Sequence, residues 1–353
     1  KPTPYDEAVS LIWYLENVFY HSVSKIHNYI ETNIFDGEKV DNQIIDLGFW
    51  PGGDRDGNPF VTTQITLDVA ERLRQSILRN YYRDIKRLKR RFTFSGVQEI
   101  LVRLEKRLYK HVVRSYANVN FSQKILLDEL ETAKEIVINK HQSLFLDELN
   151  DVINKIRIFG FHFATLDIRQ DSRVHHSAFT QLVKDLLASG DTTFPEDYFS
   201  FSEKEQLAFL ATVKGKIDPT ILTDEMSVKT IESMYAIKTV QARNGERGSN
   251  RYIISNNQTA LHVMQAFAML NLCDFEDCLP VDVIPLFETV DDLQNAEEVM
   301  RTIYTNQHYR AHVAQRKNKQ TIMLGFSDGT KDGGYLMANW GIFKAKEALT
   351  KIS

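Results

Sequence analysis

Apolar residues in the first part of the chain recur at the spacing of an amphipathic helix. This pattern covers residues 8–30, returns over 62–92, and continues with short interruptions to about residue 158. The first helix is predicted to begin at Thr3, because a threonine N-cap, a proline at the first helical position and Asp6 three residues on are typical of a helix start. The first half is therefore predicted to be largely helical.

One segment interrupts this helical half. The run NQIIDLGFW, residues 42–50, reads as a strand, and the glycine-rich segment PGGDRDGN follows it at 51–58. The glycines allow tight turns, and they leave Asp54, Arg55 and Asp56 together at the end of an apolar run. Charges held in this way on a loop are typical of a binding site.

The second half alternates between short apolar β-rich runs and helical pattern. Each run ends in polar or charged residues. The four runs are FGFHFATLDIRQDS (159–172), RYIISN (251–256), DVIPLFETV (282–290) and QTIMLGFSDG (320–329). Such βα alternation favours a parallel sheet or a barrel, in which functional residues collect at the carboxyl ends of the strands.

The same pattern predicts four segments along the chain. Residues 1–43 are predicted to be a helical segment, 44–62 a barrel strand with its active-site loop, and 63–158 a long helical insertion. Residues 159–353 are predicted to be consecutive β/α units of an incomplete barrel.

Composition excludes some classes of function. The 353 residues carry a formal net charge of −4, so the overall charge gives no reason to expect a nucleic-acid partner. No apolar run reaches the roughly 18 residues that a membrane helix needs, and no signal peptide opens the sequence, so a cytoplasmic location is predicted. Cys273 and Cys278 fit no zinc spacing and are expected to be buried or half-buried thiols in a reducing compartment.

Two acids stand at the ends of apolar runs. Glu288 ends VIPLFE, and Asp328 ends IMLGFSD. Carboxylates at adjacent strand ends suit a divalent cation such as Mg²⁺, which takes one or two protein carboxylates and completes its shell with water and substrate oxygens. The alternative is that each acid caps the helix that follows it. From the residues alone both readings stay open.

Cations accompany these acids. Arg169 lies in LDIRQ, Arg55 lies between Asp54 and Asp56, and Lys331 lies in SDGTKDGG. Arginine forks suit phosphate and carboxylate groups, so together with a metal these residues outline a site for a small phosphorylated or carboxylated anion. The alternative for the two arginines is an internal ion pair with Asp54, Asp56 or Asp167.

Two further groups of residues are candidates for a site. His175 and His176 follow the strand end in DIRQDS and could reach a site there. The basic run RDIKRLKRR, residues 83–91, has apolar positions at Ile85 and Leu88 and is predicted to be the solvated face of a helix.

Several motifs together resemble one family. FWPGGDRDGNPFVT, FGFHFATLDIRQDS, YIIS, VIPLFETVDDL and IMLGFSDGTKDGG resemble, in the same order, segments of bacterial-type phosphoenolpyruvate carboxylase. The resemblance covers the whole chain but only the middle of the family, so the chain is expected to be an internal fragment that is inactive alone. Phe326, Gly329 and Pro51 depart from the tyrosine, serine and methionine usual there, and SNNQTALHV replaces a Ser-Met-Ala run.

The resemblance implies a fold and a reaction. The fold is an α/β, predominantly helical one that includes part of a (β/α)8 TIM-like barrel with additional helices. The reaction converts phosphoenolpyruvate and bicarbonate to oxaloacetate and phosphate, supplies the citric acid cycle, and uses Mg²⁺ or Mn²⁺. The full-length protein would be a cytoplasmic homotetramer that binds neither nucleic acid nor membrane.

The resemblance also implies roles for individual residues. Glu288 and Asp328 would be metal ligands, Arg169 would bind the phosphate, and Lys331 would be the catalytic lysine. Arg55, as a further catalytic cation, and Asp54 would line the same cleft and contact the substrate. Two alternatives remain: a phosphotransferase of the dikinase type that handles phosphoenolpyruvate on a related barrel, and a helix-rich scaffold without catalysis.

Overall fold

The computed structural model of the chain describes residues 2–36, 44–113, 121–275 and 278–353. Contacts divide the chain into two compact units. The helical unit comprises Lys1–Pro51, Leu67–Leu166 and Val240–Gly248. The sheet unit comprises Gly52–Thr66, Asp167–Thr239 and Ser249–Ser353. The four segments predicted from the sequence stay a prediction, because this division joins distant stretches of chain.

Helices make up most of the first half, as predicted. They are α1 (Pro4–Tyr14), a π-helical turn (Leu15–Phe19), α2 (Tyr20–Asn33), α3 (Thr63–Arg91), α4 (Val97–Val113), α5 (Gln123–Lys140) and α6 (Leu146–Phe159). The predicted start of α1 is confirmed by a capping box. The Thr3 hydroxyl accepts from the Asp6 backbone N–H, and the Asp6 carboxylate accepts from the Thr3 backbone N–H. Two short strands, β1 (Gly48–Phe49) and β2 (Thr165–Leu166), pair in parallel within the helical unit.

A buried ion pair lies in the core of the helical unit. Lys155 on α6 is 3% exposed, and its ammonium is 3.3 Å from Asp84 on α3 and 2.8 Å from Asp151. The Tyr20 hydroxyl donates to Asp84 over 2.8 Å, and the Lys155 ammonium lies over the Tyr20 ring. The buried charge of Lys155 is therefore balanced by carboxylates on α6 and α3, and Asp84 also accepts a hydrogen bond from Tyr20 on α2.

The basic run lies at the end of α3. Ile85 and Leu88 are fully buried, while Arg91 is half-exposed and paired with Glu148. Lys89 pairs with Glu105. The predicted amphipathic arrangement is confirmed, and part of its polar face is occupied by ion pairs.

The sheet unit contains a parallel sheet of four strands in the order β3-β4-β5-β6. The strands are β3 (Ile168–Asp171), β4 (Arg251–Ser255), β5 (Asp282–Phe287) and β6 (Met323–Leu324). The helices are α7 (Ser172–Ala188), α8 (Glu203–Leu210), α9 (Glu225–Asn244), α10 (Ala260–Asn271), α11 (Val290–Thr305), α12 (Gln307–Gln315) and α13 (Phe326–Ile352). Single 3-10 turns lie at Tyr198–Ser200 and Pro219–Ile221, and a further one at Glu246–Gly248 belongs to the helical unit, as does the end of α9 from Val240 onward.

Both faces of the two central strands, β4 and β5, are apolar. Tyr252 and Ile254 of β4 join the large core formed with the helices. Ile253, between them, turns to the other face and packs with Ile284 and Leu286 of β5. Continuous apolar strands are typical of a parallel sheet that is covered on both faces.

The predicted α/β class with mainly helical content fits the structure. The strands are shorter than the apolar runs: only Met323–Leu324 of 320–329 is a strand, and of the described part of 42–50 only Gly48–Phe49 is. The described strands form a sheet of four and a pair, and a closed barrel stays a prediction.

The two cysteines have different surroundings. Cys273 is buried and its thiol donates to the Met269 carbonyl over 3.3 Å, whereas Cys278 is exposed. The prediction of a buried or half-buried thiol was therefore right for Cys273 and wrong for Cys278. Among the described residues, no helix is both long enough and apolar enough to cross a bilayer.

Candidate active site

Three strands of the sheet unit, β3, β5 and β6, bring the predicted acids and one predicted arginine together. Glu288 directly follows β5, Asp328 lies in the first turn of α13 just after β6, and Arg169 belongs to β3. The carboxyl groups of Glu288 and Asp328 are hydrogen-bonded to each other, and the charge of Arg169 acts on both. Arg169 therefore lies close to two acids that are 119 and 159 positions further along the chain, and both acids follow the carboxyl ends of their strands.

The Glu288 side chain is held by a backbone N–H from another strand end and not by the helix that follows it. Its Oε1 accepts a hydrogen bond from the Asn256 N–H over 2.7 Å. The cap of α11 is made by Thr289, which forms a capping box with Asp292. The alternative that Glu288 caps its helix therefore does not hold.

Asp328 has a different setting from the strand end that was expected. It lies within the first turn of α13, whose N-cap residue Gly325 provides no side-chain bond. Its Oδ1 accepts from the Lys331 ammonium over 2.7 Å, one helical turn on. The Lys331 side chain is 77% exposed. Lys331 thus joins the cluster through Asp328.

Two glycines let α13 approach Glu288 closely. A Cβ added at Gly325 would lie 3.1 Å from the Glu288 Cα, and one added at Gly329 would lie 3.1 Å from the Glu288 carbonyl oxygen. Both distances are shorter than ordinary van der Waals contact. The start of the helix is therefore held against the end of β5.

Arg169 is anchored to the glycine-rich loop. Its Nε donates to Asp54 Oδ1 over 2.8 Å, and Nη2 lies 3.4 Å from Asp56 Oδ2. The backbones also pair, since Arg169 N–H donates to the Gly53 carbonyl and the Arg55 N–H donates to the Arg169 carbonyl. The predicted alternative of an ion pair with Asp54 and Asp56 is thus present for Arg169, and it also orients the guanidinium.

The charges in the cluster shift each other's protonation. Burial raises the pKa of Glu288, and the hydrogen bond to Asp328 raises it further against the opposing effects of Asn256 and Arg169. The hydrogen bond from Lys331 lowers the pKa of Asp328. Because the two carboxyl groups are in contact, they titrate together rather than independently.

Arg55 is placed apart from this cluster. Its Nη1 donates to the Lys229 carbonyl over 3.0 Å. The guanidinium lines a cavity of about 470 Å³ within the sheet unit, together with Asp56, Asn58, Gln170, Asp171, Arg173 and Lys229. Burial lowers the pKa of Arg55. A larger cavity of about 1240 Å³ beside α12 contains none of the six predicted site residues.

Of the two candidate histidines, His175 faces the protein interior and His176 is exposed. His175 is fully buried, with Nε2 2.8 Å from the Tyr252 hydroxyl. His176 Nδ1 lies 3.2 Å from the Gln265 side-chain oxygen. Burial lowers the pKa of His175 to about 3. His175 is therefore a neutral core residue at physiological pH.

The buried His175 predicts a loss of stability in acid. Its pKa is lower in the folded than in the unfolded chain, so between pH 6.5 and about 3 the unfolded chain binds more protons and stability falls as pH falls. At about pH 5 this costs about 2 kcal/mol relative to pH 7.5. Urea unfolding at both pH values should show a smaller pH difference for His175→Gln than for the wild type. The exposed His308 supplies the control: if His308→Gln reduces the difference equally, the assignment to His175 is wrong.

The donor set fits a hard divalent cation. Among the described residues no group of three or more His, Cys, Asp and Glu side chains is arranged around a metal position, so a zinc-type site is not formed by them. Two carboxylates beside cationic side chains match the one or two protein ligands that Mg²⁺ takes when substrate oxygens supply the rest.

Comparison with known proteins connects this geometry to a family. The sequence profile of the phosphoenolpyruvate carboxylase family matches residues 1–121 and 103–353. The chain is 29% identical to phosphoenolpyruvate carboxylase of Nitrosomonas eutropha over 93% of its length, and 27% identical to that of Vibrio vulnificus over its whole length. It is 28% identical to that of Rhodothermus marinus, again over its whole length.

The match covers only part of these relatives. The chain spans 40% of the Nitrosomonas protein, 42% of the Vibrio protein and 43% of the Rhodothermus protein. The motifs that resembled the family are distributed over both matched stretches of the chain. The chain therefore belongs to the phosphoenolpyruvate carboxylase family.

Proposed function

We propose that this chain forms part of an enzyme that converts phosphoenolpyruvate and bicarbonate to oxaloacetate and phosphate. In this reaction bicarbonate attacks the phosphorus, which gives carboxyphosphate and the enolate of pyruvate. The enolate then takes up the carbon dioxide released from carboxyphosphate. The proposal depends on the observation that Glu288, Asp328 and Arg169 lie close together in a chain of this family.

Glu288 and Asp328 would hold Mg²⁺ or Mn²⁺. Their carboxyl groups are in contact, and Asn256 gives one Glu288 oxygen a neutral hydrogen-bond donor. When bound, the cation supplies positive charge for the phosphoryl group and for the enolate oxygen. Asp328 would have to exchange part of its contact with Lys331 for this role, which the exposed position of that side chain allows.

The cations would bind the anionic substrate. Arg169 presents a planar fork to the phosphate, and Asp54 and Asp56 hold that fork in a fixed orientation. Lys331, with its exposed ammonium, would turn toward the phosphate or the carboxylated intermediate. Asp54 would then act on the substrate through Arg169. Arg55 would attract the anion from the neighbouring cavity.

The wider setting belongs to the same proposal. The four parallel strands in consecutive order, with apolar side chains on both faces, would be a sector of a (β/α)8 barrel. The longer protein would be a cytoplasmic homotetramer that supplies oxaloacetate to the citric acid cycle, with no nucleic-acid or membrane partner.

Binding of phosphoenolpyruvate in the presence of Mn²⁺ tests the proposal. Arg169→Gln removes a charged hydrogen-bond donor and is expected to weaken binding about thirtyfold, which corresponds to about 2 kcal/mol. Calorimetric titration of the chain with phosphoenolpyruvate at saturating Mn²⁺ measures it. Arg301→Gln, at an exposed arginine on α11, is the matched control and should bind like the wild type. Equal affinity for wild type and Arg169→Gln would contradict the role of Arg169.

A further inference from the structure

The turn after β4 has an unusual backbone. Asn256 has a φ of 51°, in the left-handed region that few side chains adopt. In this conformation its N–H points at Glu288 and donates to Oε1 over 2.7 Å. The next residue, Asn257, donates its N–H to the Leu286 carbonyl over 3.1 Å, so the turn is joined to the β5 segment at two points.

A second strand end holds the backbone of the same residue through its carbonyl. The Ser172 hydroxyl donates to the Asn256 carbonyl over 2.6 Å. Ser172 is fully buried and is the first residue of α7, directly after Asp171 at the end of β3. Because Ser172 is fixed at the start of a helix, its hydroxyl is a rigid support for the turn.

The two bonds form a continuous connection across three strand ends. It runs from Ser172 after β3, through the carbonyl and the N–H of Asn256 after β4, to the Glu288 carboxylate after β5. Neither donor carries a charge, so Glu288 is oriented without losing its own charge to an ion pair. A ligand held in this way keeps its geometry before the cation arrives.

We infer that Ser172 and Asn256 are positioning residues, which orient the Glu288 carboxylate for a divalent cation. The inference rests on the proposed function of Glu288 as a metal ligand. Asparagine is suited to this position because its short polar side chain tolerates the left-handed conformation better than most residues.

Hydrogen exchange and Mn²⁺ affinity test the inference together. In Ser172→Ala, we expect the Asn256 amide to exchange at least tenfold faster and Mn²⁺ binding to weaken about tenfold. Ser172→Thr keeps the hydroxyl and should restore both. The control is Ser200→Ala, which removes an equivalent serine-to-carbonyl bond, to Asp197 over 2.7 Å, at the surface. It should change neither quantity.

A second pair of variants avoids dependence on one substitution. Asn256→Gly adopts the left-handed turn and should keep Mn²⁺ affinity within about twofold, whereas Asn256→Val disfavours that turn and should weaken it about tenfold. Slow exchange of the Asn256 amide in Ser172→Ala, or equal affinities in Gly and Val variants, would overturn the inference. If the wild type binds no Mn²⁺, the metal proposal fails, and the exchange data still decide whether Ser172 holds the turn.

Discussion

Glu288→Gln is expected to weaken Mn²⁺ binding at least a hundredfold, which corresponds to about 3 kcal/mol. Glutamine keeps the size of the side chain and can still accept from the Asn256 N–H, but it removes the negative charge that a hard cation requires. Asp328→Asn should act in the same direction. Calorimetric titration of the chain with Mn²⁺ measures both effects.

The control for this prediction lies on the helix that follows Glu288. Glu297 on α11 is exposed and pairs with Arg301 four residues on. Glu297→Gln should leave Mn²⁺ affinity unchanged, because it alters the same amount of charge at a distance from the cluster. Undiminished binding in Glu288→Gln would remove Glu288 from the metal site. Absence of binding in every variant and in the wild type would favour the helical scaffold.

Asp84→Ala is expected to lower the free energy of unfolding of the helical unit by about 3 kcal/mol. The change leaves the Lys155 ammonium buried with one carboxylate instead of two, and it removes the acceptor of the Tyr20 hydroxyl. The loss should fall at the low end of the range for broken buried pairs, since Asp151 still contacts Lys155. Urea unfolding followed by circular dichroism measures it.

A double substitution separates the loss of the pair from the loss of packing. Asp84→Leu with Lys155→Met replaces both charges by apolar groups and should recover most of the stability. Glu135→Ala, at an exposed acid on α5, is the control and should change stability by less than about 0.5 kcal/mol. If the double variant is as unstable as Asp84→Ala, the buried charge on Lys155 is not the cause.

The helices and the positions of the β-rich runs could be predicted because they depend on local signals. Apolar spacing predicted α3 to within a residue at each end, and the Thr3 capping signal predicted the start of α1. Strand lengths could not be predicted in this way. Of the apolar run at 320–329 only two residues pair with β5, because Gly325 already begins the entry into α13.

The candidate site was only partly accessible to the same reasoning. Acids after apolar runs indicated Glu288 and Asp328, and the parallel sheet explains why they meet. In the glycine-rich loop, Asp54 and Asp56 reach Arg169, while Arg55 between them reaches Lys229. The sequence alone did not indicate which side faces the cluster.

Other features depend on contacts between distant residues. The sequence SNNQ does not indicate that the Asn256 N–H donates to Glu288. That hydrogen bond requires both a left-handed backbone at Asn256 and the register of β4 against β5. Gly329 replaces the serine usual in the family. Its closeness to the Glu288 carbonyl gives this departure a steric reason that only coordinates reveal. The changes at Phe326 and Pro51 have no structural explanation.

The contrast between the two cysteines makes the chain convenient for spectroscopy. Cys273 is enclosed in the core, where burial raises the pKa of its thiol, and Cys278 is the other cysteine and lies at the surface. A maleimide dye or nitroxide should therefore attach at one point without any mutagenesis. Paramagnetic Mn²⁺ and such a label would then report their separation directly in solution.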